Sequence, residues 1–150
     1  MHFDSESSPG FAIGRVAYLI RSGMAAVLKS ASWQFSPEET QTLITLLDAR
    51  EPLSMNELAS RMIRDPTTVK RQLDRLVEHE FVERSVSSED ARIVRIELTR
   101  RGEQKLQAAL PLLDALRKTA LKGISKSELE ATQNVLRKMQ KNLTKHIFED

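Results

Sequence analysis

The chain has 150 residues, a formal net charge of +2 and no cysteine, and its sequence pI is near 9.0. That length suits one domain able to bury its own core, and the missing cysteine excludes a disulfide framework, a thiolate nucleophile and a cysteine redox sensor. So small a net charge does not announce nucleic-acid binding, so any such case must rest on where the cations sit.

The first ten residues are polar, and the helical pattern starts at Phe11. Ile13, Val16, Ile20, Met24, Val27 and Leu28 recur at steps of three and four up to Ala31. No apolar run reads as long enough to span a bilayer, and "MHFDSESSPG" lacks the basic start and apolar segment of a secretory signal, so a cytoplasmic location is expected. Next comes "SPEETQTLITLLDA", with Ser36 as N-cap, Pro37 at the first helical position and Glu39 completing a capping box. Pro52 ends that helix. Ser54 and Glu57 open a short one with Leu58, Ala59, Met62 and Ile63 on its apolar side. Asp65 and Pro66 start another almost at once, with Val69, Leu73, Leu76 and Val77 as its buried stripe. Two helices joined by so tight a turn predict a helix-turn-helix.

"FVERSVSS" then reads as a strand, "SSEDAR" as a loop and "IVRIEL" as a returning strand, with Val82, Ile93, Ile96 and Leu98 expected to fix the hairpin. A long helix follows from Thr99 to about Lys122, with Pro111 inside it and Gly123 past its end. Ser125 and Glu128 cap a last helix striped by Leu129, Leu136, Met139, Leu143 and Ile147. The expected fold is therefore mainly α with a small β-hairpin wing. A winged helix-turn-helix core over about 36–99 is flanked by long N- and C-terminal helices, about 11–31 and 100–148. Apolar stripes on those flanking helices need a partner; packing together in one chain could satisfy part of this, and pairing between two chains, the more natural use of long terminal helices in a DNA-binding protein, predicts a homodimer.

The pieces "MNELASRM", "DPTTVKRQLDRLVEHEFVER" and "DARIVRIELTRRGEQKL" resemble the multiple-antibiotic-resistance regulator (MarR) family of winged-helix transcription regulators, from about Phe11 to the end. The most specific part is Asp90, any residue, Arg92, a short apolar strand, then Leu98, Thr99 and Gly102. The resemblance implies that Arg92 enters a DNA minor groove with Asp90 orienting it, where a narrow A·T tract concentrates negative potential. It also implies a small effector, often an aromatic acid or phenol, bound between the dimerisation helices and the reading lobe. Its ligand-contacting residues are not readable from the sequence. One departure stands out: Glu80 occupies a position where members usually carry glycine, so the turn after the recognition helix is expected to differ.

Opposite its buried stripe the recognition helix presents Thr67, Thr68, Lys70, Arg71, Asp74, Arg75 and Glu78. Lysine and arginine donate to guanine, and threonine touches a thymine methyl or a phosphate, so Thr67, Thr68, Lys70, Arg71 and Arg75 join Arg92 as the expected contacts to double-stranded DNA. For Arg92 the plainer reading is a surface ion pair with Asp90 or Glu89. Trp33 and Phe35 are expected in core or dimer packing, with a ligand pocket near them as the alternative, and His79 at an exposed helix end. No nucleophile elbow, glycine-rich phosphate loop or histidine–carboxylate metal spacing is present, so no catalytic residue, cofactor or metal is expected. A repressor acting on a pseudo-palindromic operator is the leading reading. The alternative is a winged-helix module that binds protein without specific DNA binding.

Overall fold

The structure, a computed structural model, describes residues 7–88 and 90–148. In chain order its elements are α1 (Pro9–Ser30), α2 (Pro37–Ala49), β1 (Leu53–Ser54), α3 (Met55–Met62), α4 (Pro66–Glu78), β2 (Val82–Val86), β3 (Val94–Leu98), α5 (Arg100–Ala120) and α6 (Lys126–Phe148). They fall into two units that divide after Leu116.

In the first unit, the core is built where the apolar periodicity places it. Leu43 and Leu46 of α2, Leu58 of α3, Val69, Leu73 and Leu76 of α4, Ile96 of β3 and Leu106 of α5 are buried together. All three capping boxes form; at α2, Ser36 Oγ accepts from the Glu39 N–H at 3.2 Å while the Glu39 carboxylate accepts from the Ser36 N–H at 2.8 Å. The sheet has three strands in the order β1-β3-β2, all antiparallel. The sequence reading missed β1, which is only Leu53–Ser54 and pairs with Ile96 and Arg95. Ile93 also departs from expectation, since it lies just outside β3 and is 36% exposed. The hairpin is fixed instead by Val82 and Ile96, with Leu98 half-buried.

Three helix ends close alike, and none carries glycine. Ser32, Ile63 and Glu80 have φ of 54°, 49° and 60°. At each, the following N–H reaches back to the carbonyl five residues earlier: Trp33 to Leu28, Arg64 to Ala59 and Phe81 to Leu76. These are Schellman turns, which normally recruit glycine because a Cβ is strained at positive φ. Glu80 therefore does not divert the turn after α4; it takes the left-handed geometry itself. Ile63, placed by its period on the apolar side of α3, sits in such a turn and is 46% exposed.

Helix α1 overturns a sequence expectation. Among the described residues it is long and apolar enough to cross a membrane by length and composition, with mean hydropathy 1.4, because Arg15 and Arg21 interrupt the run without outweighing it. Its C-terminal half nevertheless lies against protein: Met24 and Leu28 are buried, and a Cβ on Gly23 would stand 2.9 Å from a Leu116 methyl. Its N-terminal half is uncovered, with Phe11, Val16, Tyr18 and Leu19 exposed.

In the second unit, Ser125 caps α6 and Glu128 returns the bond to the Ser125 N–H at 2.8 Å. Along α6, Leu136, Leu143 and Ile147 of the expected stripe are exposed.

Candidate nucleic-acid interface

Helix α4 starts where its sequence says it should. The Asp65 carboxylate accepts from the Thr67 and Thr68 N–H groups at 2.9 and 3.1 Å, and Pro66 fills the first helical position. Burial of Val69, Leu73 and Leu76 fixes the helix's rotation, which leaves Thr67, Lys70, Arg71, Asp74, Arg75 and Glu78 exposed and Thr68 half-buried. Thr68, Arg71 and Arg75 line one groove of about 480 Å³ with Arg64, Glu38 and Glu39.

Among these cations, Arg75 differs from the others. Its guanidinium lies 3.4 Å from a Glu39 carboxylate oxygen, donates to the Gln34 carbonyl at 3.1 Å and stands 5.9 Å from the Phe35 ring centroid. Glu39 is buried, so one carboxylate serves both its capping box and this clamp. Arg75 thus braces α4 against the segment leading into α2, a role the helical period alone could not reveal.

At the wing, the loop is closed by backbone bonds from Ser87 N–H to Ile93 and from Ile93 N–H to Asp90. The Asp90 carboxylate meets Arg92 at the main chain, accepting from the Arg92 N–H at 2.9 Å. The expected aspartate–guanidinium pairing gives way to this turn because an aspartate reaches the N–H two residues on more readily than a distant side-chain end. Among the described residues no hydrogen bond or ion pair holds the Arg92 guanidinium. Glu89, the other partner considered for it, lies outside the described residues.

Arginine–carboxylate pairs bind both wing strands to helices. Arg84 of β2 meets Asp74 of α4 at 2.7 Å, and Arg95 of β3 meets Glu57 of α3 at 3.1 Å. Hydrogen bonds from the Ser54 backbone N–H and hydroxyl, aided by the field of Arg95, hold the Glu57 carboxyl below its usual 4.5. At the wing root, Thr99 Oγ1 donates to the Glu80 carbonyl at 2.7 Å and accepts from the Gly102 N–H at 2.9 Å. Arg101 pairs with the Glu80 carboxylate and lies over the Phe81 ring. Gly102 is required there, since a Cβ would fall 2.0 Å from the Phe81 carbonyl oxygen.

Beside this root lies a cavity of about 290 Å³ lined by Trp33, Gln34, Phe81, Arg101 and Lys105 among others. The Trp33 indole N–H is committed to Thr40 Oγ1 at 2.9 Å, so its ring serves the cavity as an apolar wall. Phe35 is buried in the core as expected, and edge-on contacts join it to Trp33 and Phe81. His79, expected at an exposed helix end, is half-buried with its ring 5.4 Å from Phe35.

The MarR family model matches residues 36–94, which run from the α2 cap to the start of β3. Over that segment the winged-helix lobe of this chain is similar to the MarR family. An uncharacterized helix-turn-helix transcriptional regulator of Bacillus subtilis, YdgJ, is 28% identical over 101 residues, 67% of this chain and 62% of its own length. The chain thus matches under two thirds of that relative. The DNA complex of Staphylococcus aureus MepR superposes with a TM-score of 0.82 at 22% identity, over 93% of this chain and 99% of that one. BpsR of Bordetella bronchiseptica, from a structure on regulation of its DNA binding by 6-hydroxynicotinic acid, gives 0.81 at 18% identity over 93% and 98%. These two likenesses establish the fold across the MarR-type elements outside the matched segment.

Sequence reasoning passed over Arg84 and the pairing of Asp74. A signal existed: Arg84 is two residues after buried Val82 and opposite buried Ile96, so it shares their face of the sheet.

Proposed function

We propose that the chain is a sequence-specific, DNA-binding transcriptional regulator and not a catalyst, working in the cytoplasm as a homodimeric repressor on a pseudo-palindromic operator. The observation that carries this reading is the Arg92 guanidinium, unpartnered among the described residues, on a hairpin whose root is locked to the recognition helix. Such a group is available to a narrow minor groove while Thr67, Thr68, Lys70 and Arg71 meet the neighbouring major groove. Arg75 has a smaller share, because Glu39 already neutralises it. Residues 36–99 form the reading lobe, and 11–31 with 100–148 supply the dimer contacts, a division supported by the uncovered apolar side chains of α1 and α6.

The cavity beside Trp33 offers two aromatic walls and the cations Arg101 and Lys105. That lining suits a small aromatic acid, the class of the 6-hydroxynicotinic acid named for BpsR. Such a ligand would compete with Glu80 for Arg101 and so loosen the wing root.

Selection from a random duplex library, followed by mobility-shift titration, tests the reading. Recovered sites should hold two half-sites with centres roughly 10 bp apart. Affinity should fall steeply with salt as phosphate counterions are released. Arg92→Ala should bind the selected duplex far more weakly with its melting temperature kept. Failure to enrich any sequence would favour a protein-binding module instead.

A further inference from the structure

Beyond Val82, strand β2 is exposed along its whole length, and it is an outer strand of the sheet. Its partner β3 is held on both sides, by β1 and by the Arg95–Glu57 pair. Among the described residues of β2 past Val82, only Arg84 bonds to a helix, and it bonds to Asp74 on the outward face of α4. The cross-strand partner of Arg84 is Ile96, which is fully buried, so the arginine stem lies on the core side of the sheet and its head reaches α4. The Arg84 side chain is 31% exposed and that of Asp74 53%. A pair so open adds little to stability. Its effect is geometric: it joins the outer wing strand to the helix that carries Lys70 and Arg71.

We propose that Arg84 and Asp74 are positioning residues whose ion pair sets the wing at a fixed height over α4, so that Arg92 reaches its groove only while the recognition helix is seated. This rests on the DNA-binding reading above, and it explains why a carboxylate sits on a helix face turned to a polyanion. Charge alone would make Asp74 a liability there. As the anchor of the wing, it contributes more through Arg92 than it loses by repulsion.

Two measurements test this. The first uses no DNA. The chain has no cysteine, so spin labels placed through Lys70→Cys and Ser88→Cys report the separation of α4 and wing. Arg84→Ala should broaden that distance distribution, and Arg84→Lys should restore most of it. An unchanged distribution overturns the tether whatever the chain binds.

The second is a double-mutant cycle on the selected duplex at fixed salt. Arg84→Ala should weaken binding roughly tenfold, and Arg92→Ala, severe alone, should cost under about threefold once Arg84 is gone. Asp74→Asn should also weaken binding, against the sign that simple charge removal predicts. Melting temperatures should move by no more than about 2 °C, as for an exposed pair. Additive losses, or tighter binding by Asp74→Asn, would overturn the proposal. A wild-type chain that enriches no duplex sinks the DNA-binding reading, and the label distances then decide the tether alone.

Discussion

Helices α4 and α1 carry similar apolar periodicity and meet opposite fates. In α4 the stripe of Val69, Leu73 and Leu76 is completely buried. In α1 the residues of the same pattern divide: Met24 and Leu28 are covered, while Ile13, Val16 and Ile20 stay exposed. Periodicity tells which face of a helix is apolar; it does not tell what covers that face. For α4 the cover is α2, α3 and the sheet of the same chain. The first half of α1 has no such cover among the described residues, and a second copy is the partner proposed above.

The contrast can be broken most forcefully at the lobe. Gly102→Ala drives a methyl into the Phe81 carbonyl, a backbone atom that cannot swing aside. It should destabilise the protein by more than about 4 kcal/mol, and a cooperative thermal melt at the wild-type temperature would show that the α5 start is free to shift. Leu73→Ala comes next, at about 2–5 kcal/mol in denaturant unfolding, because the lost side chain leaves a cavity in a closed core.

The matching change on the other helix, Leu19→Ala, should alter the stability of the monomer by less than about 0.5 kcal/mol. Sedimentation should nonetheless show weaker self-association. Equal losses from Leu73→Ala and Leu19→Ala in dilute protein would mean that α1 is covered within its own chain.

A smaller and opposite effect is expected at the left-handed turn. Glu80→Gly should stabilise the fold by about 1 kcal/mol, since glycine carries no Cβ penalty at positive φ and the Arg101 pair it removes is exposed.

The smallest effect is that of acid on the capping boxes. Glu57 and Glu128 both titrate below their usual 4.5, Glu57 chiefly through the Ser54 backbone N–H and Glu128 chiefly through the Ser125 hydroxyl. A depressed folded value means stability that is full above about pH 4.5 and lost as the pH falls through the lower value. Glu57→Gln should therefore flatten the acid limb of a stability–pH curve slightly and leave it unchanged at pH 7.

Most of this architecture was legible because capping boxes and apolar periods are local signals. Ser36–Glu39, Ser54–Glu57 and Ser125–Glu128 each mark a helix start that the structure reproduces. Helix ends were harder. Ser32, Ile63 and Glu80 take left-handed backbone without glycine, so the usual glycine signal does not mark these ends. Side-chain partners were harder still. Nothing in "DPTTVKRQLDRLVEHE" shows that Arg75 turns back to Glu39 and Gln34 while Arg71 does not, since both lie on the outward face. Asp90 bonds to Arg92 through the main chain, in place of the side-chain pair expected.

Trp33 has one more consequence. It is the sole tryptophan of the chain, hydrogen-bonded to Thr40 and edge-on to Phe35 and Phe81. The molecule therefore carries one built-in optical reporter, placed where the Gln34 carbonyl holds Arg75 of the recognition helix. Its emission should respond to events in that lobe without any attached dye. For the same reason, an unfolding curve followed at that wavelength describes the lobe and is silent about α6.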